Sequence, residues 1–134
     1  MKPSVYSGRA ILFLLLITSG IVSCEKIETG KPFNLRAEEK RYIDLSLSFT
    51  LDSIRDYRCP KGLLCFWAGD VDLFFTIYTP GKKIDVFANL YNSERNPFTA
   101  GGYTWKILEV NPFPEFNIPV DPKDIRVKMI ITRD

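Results

Sequence analysis

The sequence predicts an all-β domain: an antiparallel sandwich or barrel of about seven strands, Greek-key in its connections, braced by one disulfide. Three observations carry this. Apolar and polar residues alternate at period two in stretch after stretch. Proline and glycine punctuate the gaps between those stretches. No segment after the N-terminus holds an apolar 3.6-residue period for three turns.

Phe33 and Leu35 suggest a short first strand. Ile43, Leu45, Leu47, Phe49 and Leu51 alternate with Asp44, Ser46, Ser48, Thr50 and Asp52, which predicts one half-buried strand over 43–51. Val71, Leu73, Phe75 and Ile77 mark the next strand, with Phe74 and Tyr78 on its other face. Thr79-Pro80-Gly81-Lys82 predicts a type II turn, because proline presets φ and glycine tolerates the positive φ that follows. The chain then returns over 83–91 with Ile84, Val86, Ala88 and Leu90 on one face, completing a hairpin. Residues 92–102 read as a loop broken by Asn96-Pro97 and Gly101-Gly102, with 97–99 a short edge strand. In 103–110 the apolar phase passes from Tyr103, Trp105 and Ile107 to Leu108 and Val110, which predicts a β-bulge near Ile107. Pro112, Pro114, Pro119 and Pro122 bar 111–122 from a central strand and suggest a long crossing connection, the source of the Greek-key expectation. Ile125, Val127, Met129 and Ile131 form the last strand.

The N-terminus is of another kind. Lys2 and Arg9 precede an apolar run, Ala10 to Val22, of about 13 residues or ~20 Å as a helix. A bilayer core needs about 20 residues, so the run is short for a spanning helix and reads as a secretory signal. It ends in Ile21-Val22-Ser23-Cys24, the pattern of a bacterial lipoprotein cleavage site. The expected organisation is a signal peptide over 1–23, a tether over 24–31 beginning at a lipidated Cys24, and a single all-β domain over 32–134. Acyl chains contribute about 0.8 kcal/mol per buried methylene, so more than one chain anchors stably.

Residues 1–23 hold two of the 18 basic residues and no acid, which leaves 16 basic against 16 acidic residues from Cys24 on. A net charge of zero gives no electrostatic reason to bind nucleic acid. With 46% hydrophobic residues the chain has material for a packed core. Once Cys24 is assigned to lipid, Cys59 and Cys65 are the remaining pair of three cysteines. An exported chain favours their oxidation, and closing so short a loop stabilises by roughly 2–2.5 kcal/mol in the chain-entropy account.

The segment from Asp56 to Asp70, Asp-Tyr-Arg-Cys-Pro-Lys-Gly-Leu-Leu-Cys-Phe-Trp-Ala-Gly-Asp, is the most distinctive part of the interior. It resembles a D-x-R-C-P-x4-C-x-W-A-G motif of small exported bacterial lipoproteins of the Bacteroidetes type. The resemblance extends to the strands on either side and to Tyr103–Pro112, and so spans most of 33–133. It implies the fold and the disulfide and imports no activity. Tyr57 stands where that motif leads one to expect a small residue. Glu25-Lys26-Ile27-Glu28 partly resembles the acidic surface-export tags of such lipoproteins. The expected address is the cell envelope, on the periplasmic or surface face of the outer membrane.

As chemistry, the motif is a stapled loop shaped by Pro60 and Gly62. Trp67 is expected to cover the disulfide, and Gly69 to permit a bulge or a close backbone approach. Arg58 is expected to pair with Asp56 or Asp70, or to lie over Trp67. Arg58, Pro60, Lys61, Trp67 and Asp70 are the candidate binding residues of this loop.

The chain has no histidine, which removes the commonest general base and zinc ligand. No phosphate-cradling glycine motif occurs. Asp52, Asp56, Asp70 and Asp72 are of the type that cleaves glycosides or binds calcium, yet their places at strand ends fit turns and ion pairs better. No enzyme, metal or cofactor is therefore expected. The leading expectation is a non-catalytic binding or structural module of the cell envelope, held to the membrane by lipid, with an envelope protein or glycan as partner. A disulfide-braced inhibitory loop against an exported hydrolase is the alternative. Glycan binding through Tyr91, Phe98, Tyr103, Phe113 and Phe116 requires three or more of them exposed on one face.

Overall fold

The computed structural model describes residues 25–134. The predicted signal peptide and Cys24 lie outside the described residues. Eight strands follow in order: β1 (Phe33–Leu35), β2 (Lys40–Tyr42), β3 (Ser48–Asp56), β4 (Val71–Thr79), β5 (Lys82–Asn89), β6 (Phe98–Ala100), β7 (Tyr103–Asn111) and β8 (Arg126–Arg133). They form two four-stranded antiparallel sheets packed as a sandwich, ordered β2-β3-β4-β5 and β1-β8-β7-β6. No helix among the described residues is long and apolar enough to cross a membrane.

The alternating residues fill the space between the sheets. Phe49, Leu51, Val71, Leu73, Phe75 and Ile77 come from one side, and Trp105, Ile107, Val110, Val127, Met129 and Ile131 from the other. Trp105 is the centre. Its ring meets Phe49 edge-on at 4.8 Å and stacks on Phe98 at 5.8 Å, while its indole N–H donates to the Ala100 carbonyl at 2.9 Å. Edge and offset geometries add about 0.5–1.5 kcal/mol per pair beyond area burial.

The Pro80-Gly81 hairpin forms as expected, with Thr79 paired to Lys82 and Gly81 at φ 72°. The β7 bulge falls between Ile107 and Glu109, so Leu108 turns outward. β6 is the expected edge strand.

Three expectations are corrected, and one strand is added to the expected count of about seven. The connection is a meander rather than a Greek key: every hydrogen-bonded strand pair except β1–β8 joins sequence neighbours. The proline-rich segment merely returns from β7 to its neighbour β8. The run 43–51 is not one strand. Residues 43–47 form a tight turn closed by Ile43 N–H donating to the Leu47 carbonyl at 3.0 Å, and β3 begins at Ser48. Ile43 and Leu47 enter the core from the two sides of that turn, so the alternation persists through it while Leu45 lies fully exposed. An eighth strand, β2, is too short and polar to show a pattern, and pairing with β3 makes it a strand. Finally, most of the expected tether is docked. Ile27 is buried, its N–H donates to the Tyr42 carbonyl at 2.9 Å, and Gly30 N–H donates to Ile131 at 2.8 Å. The one apolar side chain in that polar segment draws it onto the domain.

Asp44 organises the 43–47 turn. Its carboxylate accepts from the Ser46 hydroxyl at 2.7 Å, from the Ser46 and Leu47 amides at 2.7 and 2.8 Å, and from the Tyr103 hydroxyl at 3.1 Å. The Ser46 hydroxyl bond, then these amides, hold its pKa down to about 2 from an ordinary 3.8. A carboxyl lowered on folding stabilises the native state fully above 3.8 and loses that contribution as pH falls through about 2. Thermal melts from pH 5 down to 2 will therefore show a steeper acid loss in the wild type than in Asp44→Asn. Parallel curves would mean that the turn does not bind the ionised carboxylate.

Candidate functional site

Residues 57–70 leave the end of β3 and return to β4. Two backbone bonds extend the β3–β4 ladder into the loop: Tyr57 N–H to Asp70 at 3.1 Å and Cys59 N–H to Ala68 at 2.8 Å. Cys59 and Cys65 are joined, with Cα atoms 6.0 Å apart. Leu63 N–H donates to the Pro60 carbonyl at 3.2 Å, and Gly62 takes the positive φ of that turn, 92°. At the base Gly69 has φ 73°, and a Cβ placed there would lie 2.1 Å from the Tyr57 carbonyl oxygen. The close backbone approach expected of this glycine is present.

A second brace comes from the proline-rich connection. Lys61 N–H donates to the Pro114 carbonyl at 3.0 Å, and Phe116 N–H donates back to the Lys61 carbonyl at 2.9 Å. Proline lacks an N–H but keeps its carbonyl, so a proline-rich strap offers acceptors without needing acceptors for itself. Arg58 exploits this. Its Nη1 donates to Val110 O at 2.9 Å and its Nη2 to Pro112 O at 3.2 Å. Nε and Nη2 hold Asp56 in a fork at 2.9 and 2.5 Å. The guanidinium lies 4.6 Å above the Phe113 ring. Burial opposes its charge, and the Asp56 carboxylate together with Tyr91 more than offsets this, so its pKa ends above the ordinary value.

Of the candidate binding residues, only Lys61 and Trp67 reach solvent freely. Pro60 is half-buried. Arg58 is 4% exposed and acts as a brace, with Phe113 rather than Trp67 beneath it. Asp70 is half-buried and accepts from the Val71 and Tyr91 amides at 2.7 and 3.0 Å. Trp67 does not cover the core side of the disulfide, since it is 76% exposed. A stapled spacing of six residues leaves the loop too tight to fold its side chains under itself.

The same constraint exposes residues that sequence reasoning passed over. Leu64 and Phe66 are fully exposed, at 105% and 111%, and Leu63 is partly exposed. Phe116, against Gly62, is exposed beside them. The signal was available: four large apolar residues flank Cys65 in a loop, where no strand carries them to a core. Tyr57, the departure from the motif, donates its hydroxyl to Asp72 at 3.1 Å; desolvation first, then Asp72, raises its pKa.

The four carboxylates are occupied separately. Asp52 accepts from Thr76 at 2.6 Å, Asp56 holds Arg58, Asp70 caps backbone amides, and Asp72 accepts from Asn89 at 2.6 Å. Among the described residues no group of three or more acidic or thiol side chains is placed to hold a metal ion. The glycan face does not form as expected. Phe98 and Tyr103 belong to the core, Phe113 lies under Arg58, and only Tyr91 and Phe116 are exposed. What remains is a rigid loop with an apolar crest beside one exposed lysine. No family model, curated protein or solved structure matches the chain.

Proposed function

We propose that the protein is a lipid-anchored, non-catalytic binding module of a bacterial cell envelope, and that the stapled loop is its binding element. The observation that carries this is the full exposure of Leu64 and Phe66 on a doubly braced loop. Apolar side chains held in water cost free energy that a partner recovers on burying them, about 1.5–3 kcal/mol each. A loop already rigid loses little entropy on binding. Exposed aromatic residues such as Phe66 and Trp67 are the type enriched at the centre of interface patches. The Cys24 motif and the resemblance to Bacteroidetes-type lipoproteins support the envelope address. Engaged carboxylates and the absence of histidine support a non-catalytic role. The protruding loop with exposed Lys61 also suits the plug of an inhibitor of an exported hydrolase; buried Arg58 has no part in such a contact.

Capture from the native envelope with the intact lipidated protein tests both readings. Leu64→Ser with Phe66→Ser is expected to weaken retention of the partner by about tenfold or more. Cys24→Ser is expected to release the protein into the soluble fraction while leaving loop-dependent capture intact. Undiminished capture by the double serine variant removes the loop from the binding function. Inhibition of a hydrolase that is lost in Lys61→Ala would select the inhibitor reading.

A further inference from the structure

We infer that the edge of β2 and the 43–47 turn form a second surface, seated on the headgroups of the bilayer that holds the anchor. The inference rests on the lipoprotein reading and adds an orientation to it. Its basis is the docking of residues 25–27 onto β2. Lys26 bridges to Tyr42 in parallel, Ile27 is buried, and Glu25 forms an ion pair with Arg41 of β2. The chain is thus fixed to the domain from its first described residues. A lipidated Cys24 is one peptide bond from Glu25, about 3.8 Å between Cα atoms. A lipid bonded so near this docked segment would hold the β2 edge close to the membrane.

The surface presented there has interfacial chemistry. Lys26, Tyr42, Asp44 and Leu45 line one shallow depression. Leu45 is fully exposed, and Tyr42 and Tyr78 are each exposed by more than a third. Lys40 Nζ lies over both tyrosine rings, at 5.5 and 4.9 Å. Tyrosines with an apolar body and a polar tip collect at the headgroup level, and lysines extend from it toward phosphates. Arg41 pairs with both Glu39 and Glu25, and the Asp44 carboxylate is turned into its own turn by the Ser46 and Leu47 amides and the Tyr103 hydroxyl. The stapled loop follows the far end of β3, while Tyr42 pairs with Ser48 at the near end. Strand rise places the two ends about 25 Å apart, so Leu64 and Phe66 stand clear of the bilayer.

Quenching of tryptophan fluorescence by headgroup-nitroxide lipid tests this. The full-length lipidated protein is reconstituted in phosphatidylethanolamine–phosphatidylglycerol vesicles. It carries Leu45→Trp or Leu64→Trp in a Trp67→Phe background, with buried Trp105 as a constant. Quenching in the Leu45→Trp protein is expected to exceed that in the Leu64→Trp protein by about two-fold or more. Equal quenching, or the reverse order, in a protein whose intact mass carries the lipid overturns the orientation and leaves the anchor standing. A mass without lipid overturns both.

Discussion

Gly69→Ala is expected to cost the domain about 3–5 kcal/mol, which places it among the rare large single-residue effects. Two penalties add. An L-residue at φ 73° costs roughly 1–2 kcal/mol. The greater penalty is steric. The new methyl would meet the Tyr57 carbonyl oxygen at 2.1 Å and the Arg58 Cα at 2.8 Å, both main-chain atoms. Neither can swing aside as a side chain would. Relief requires parting the strands at Tyr57–Asp70 and Cys59–Ala68, the two bonds that carry the ladder into the loop. Gly81→Ala is the control. Its φ is 72° and nothing lies within 4 Å of its Cβ, so it should suffer only the conformational penalty. For a domain near 100 residues, each kcal/mol moves Tm by about 4–8 °C, so circular-dichroism melts will separate the two variants clearly. Equal melting points would show that the backbones are not in contact at Gly69.

Asp56→Ala is the second large effect, about 3–5 kcal/mol, because it leaves a buried cation without its counter-charge. Arg58 is enclosed by the Val110 and Pro112 carbonyls and by Phe113, and Asp56 is its only bonded carboxylate among the described residues. Arg58→Met should also be costly, since it strands the largely buried Asp56 carboxylate, although methionine fills the volume over Phe113. Arg58→Lys should not rescue, because an ammonium cannot reproduce the fork to Asp56 together with two carbonyl contacts. The double variant Asp56→Ala/Arg58→Met should be far less destabilised than additivity demands. Hydrogen exchange supplies a local readout: the Cys59 and Lys61 amides should lose protection before those of β7 and β8. Strict additivity in the cycle would mean that the two side chains are not coupled.

The parts of the fold legible in the sequence are those in which one residue type does one job. Pro80-Gly81 fixed the hairpin because proline and glycine each meet one backbone requirement of the turn. The shift from Ile107 to Leu108 located the bulge because an extra residue must reverse the facing of all that follow. Illegible features depend on partners remote in sequence. Lys40–Tyr42 is a strand only because β3 offers it a ladder. Ile43 and Leu47 alternate correctly yet flank a turn, since alternation reports which side chains are buried and not whether the chain is extended. The prolines of 111–122 said what that segment is not, and nothing in them said which strand comes next to β7.

The site divided along the same line. The need for glycine at 69 was readable from chemistry, whereas for Arg58 the sequence left Asp56, Asp70 and Trp67 open and the structure selects Asp56. That Arg58 faces inward was not readable, because the Val110 and Pro112 carbonyls it seeks are more than fifty residues away. Trp67 misled through its size. A large apolar residue beside a disulfide suggests cover, but the tight return of the chain turns it to water.

The meander has one consequence for how the molecule is made. Every pairing but one joins strands that follow one another in sequence, so each closes over a short stretch of chain. β1 alone must wait, its backbone unclaimed, until β8 folds beside it, because its partner lies far along the chain. A chain stopped short of Arg126 would expose two bare margins, on β1 and on β7, at which copies can join edge to edge. The eight residues of β8 thus act as a latch that closes both margins together.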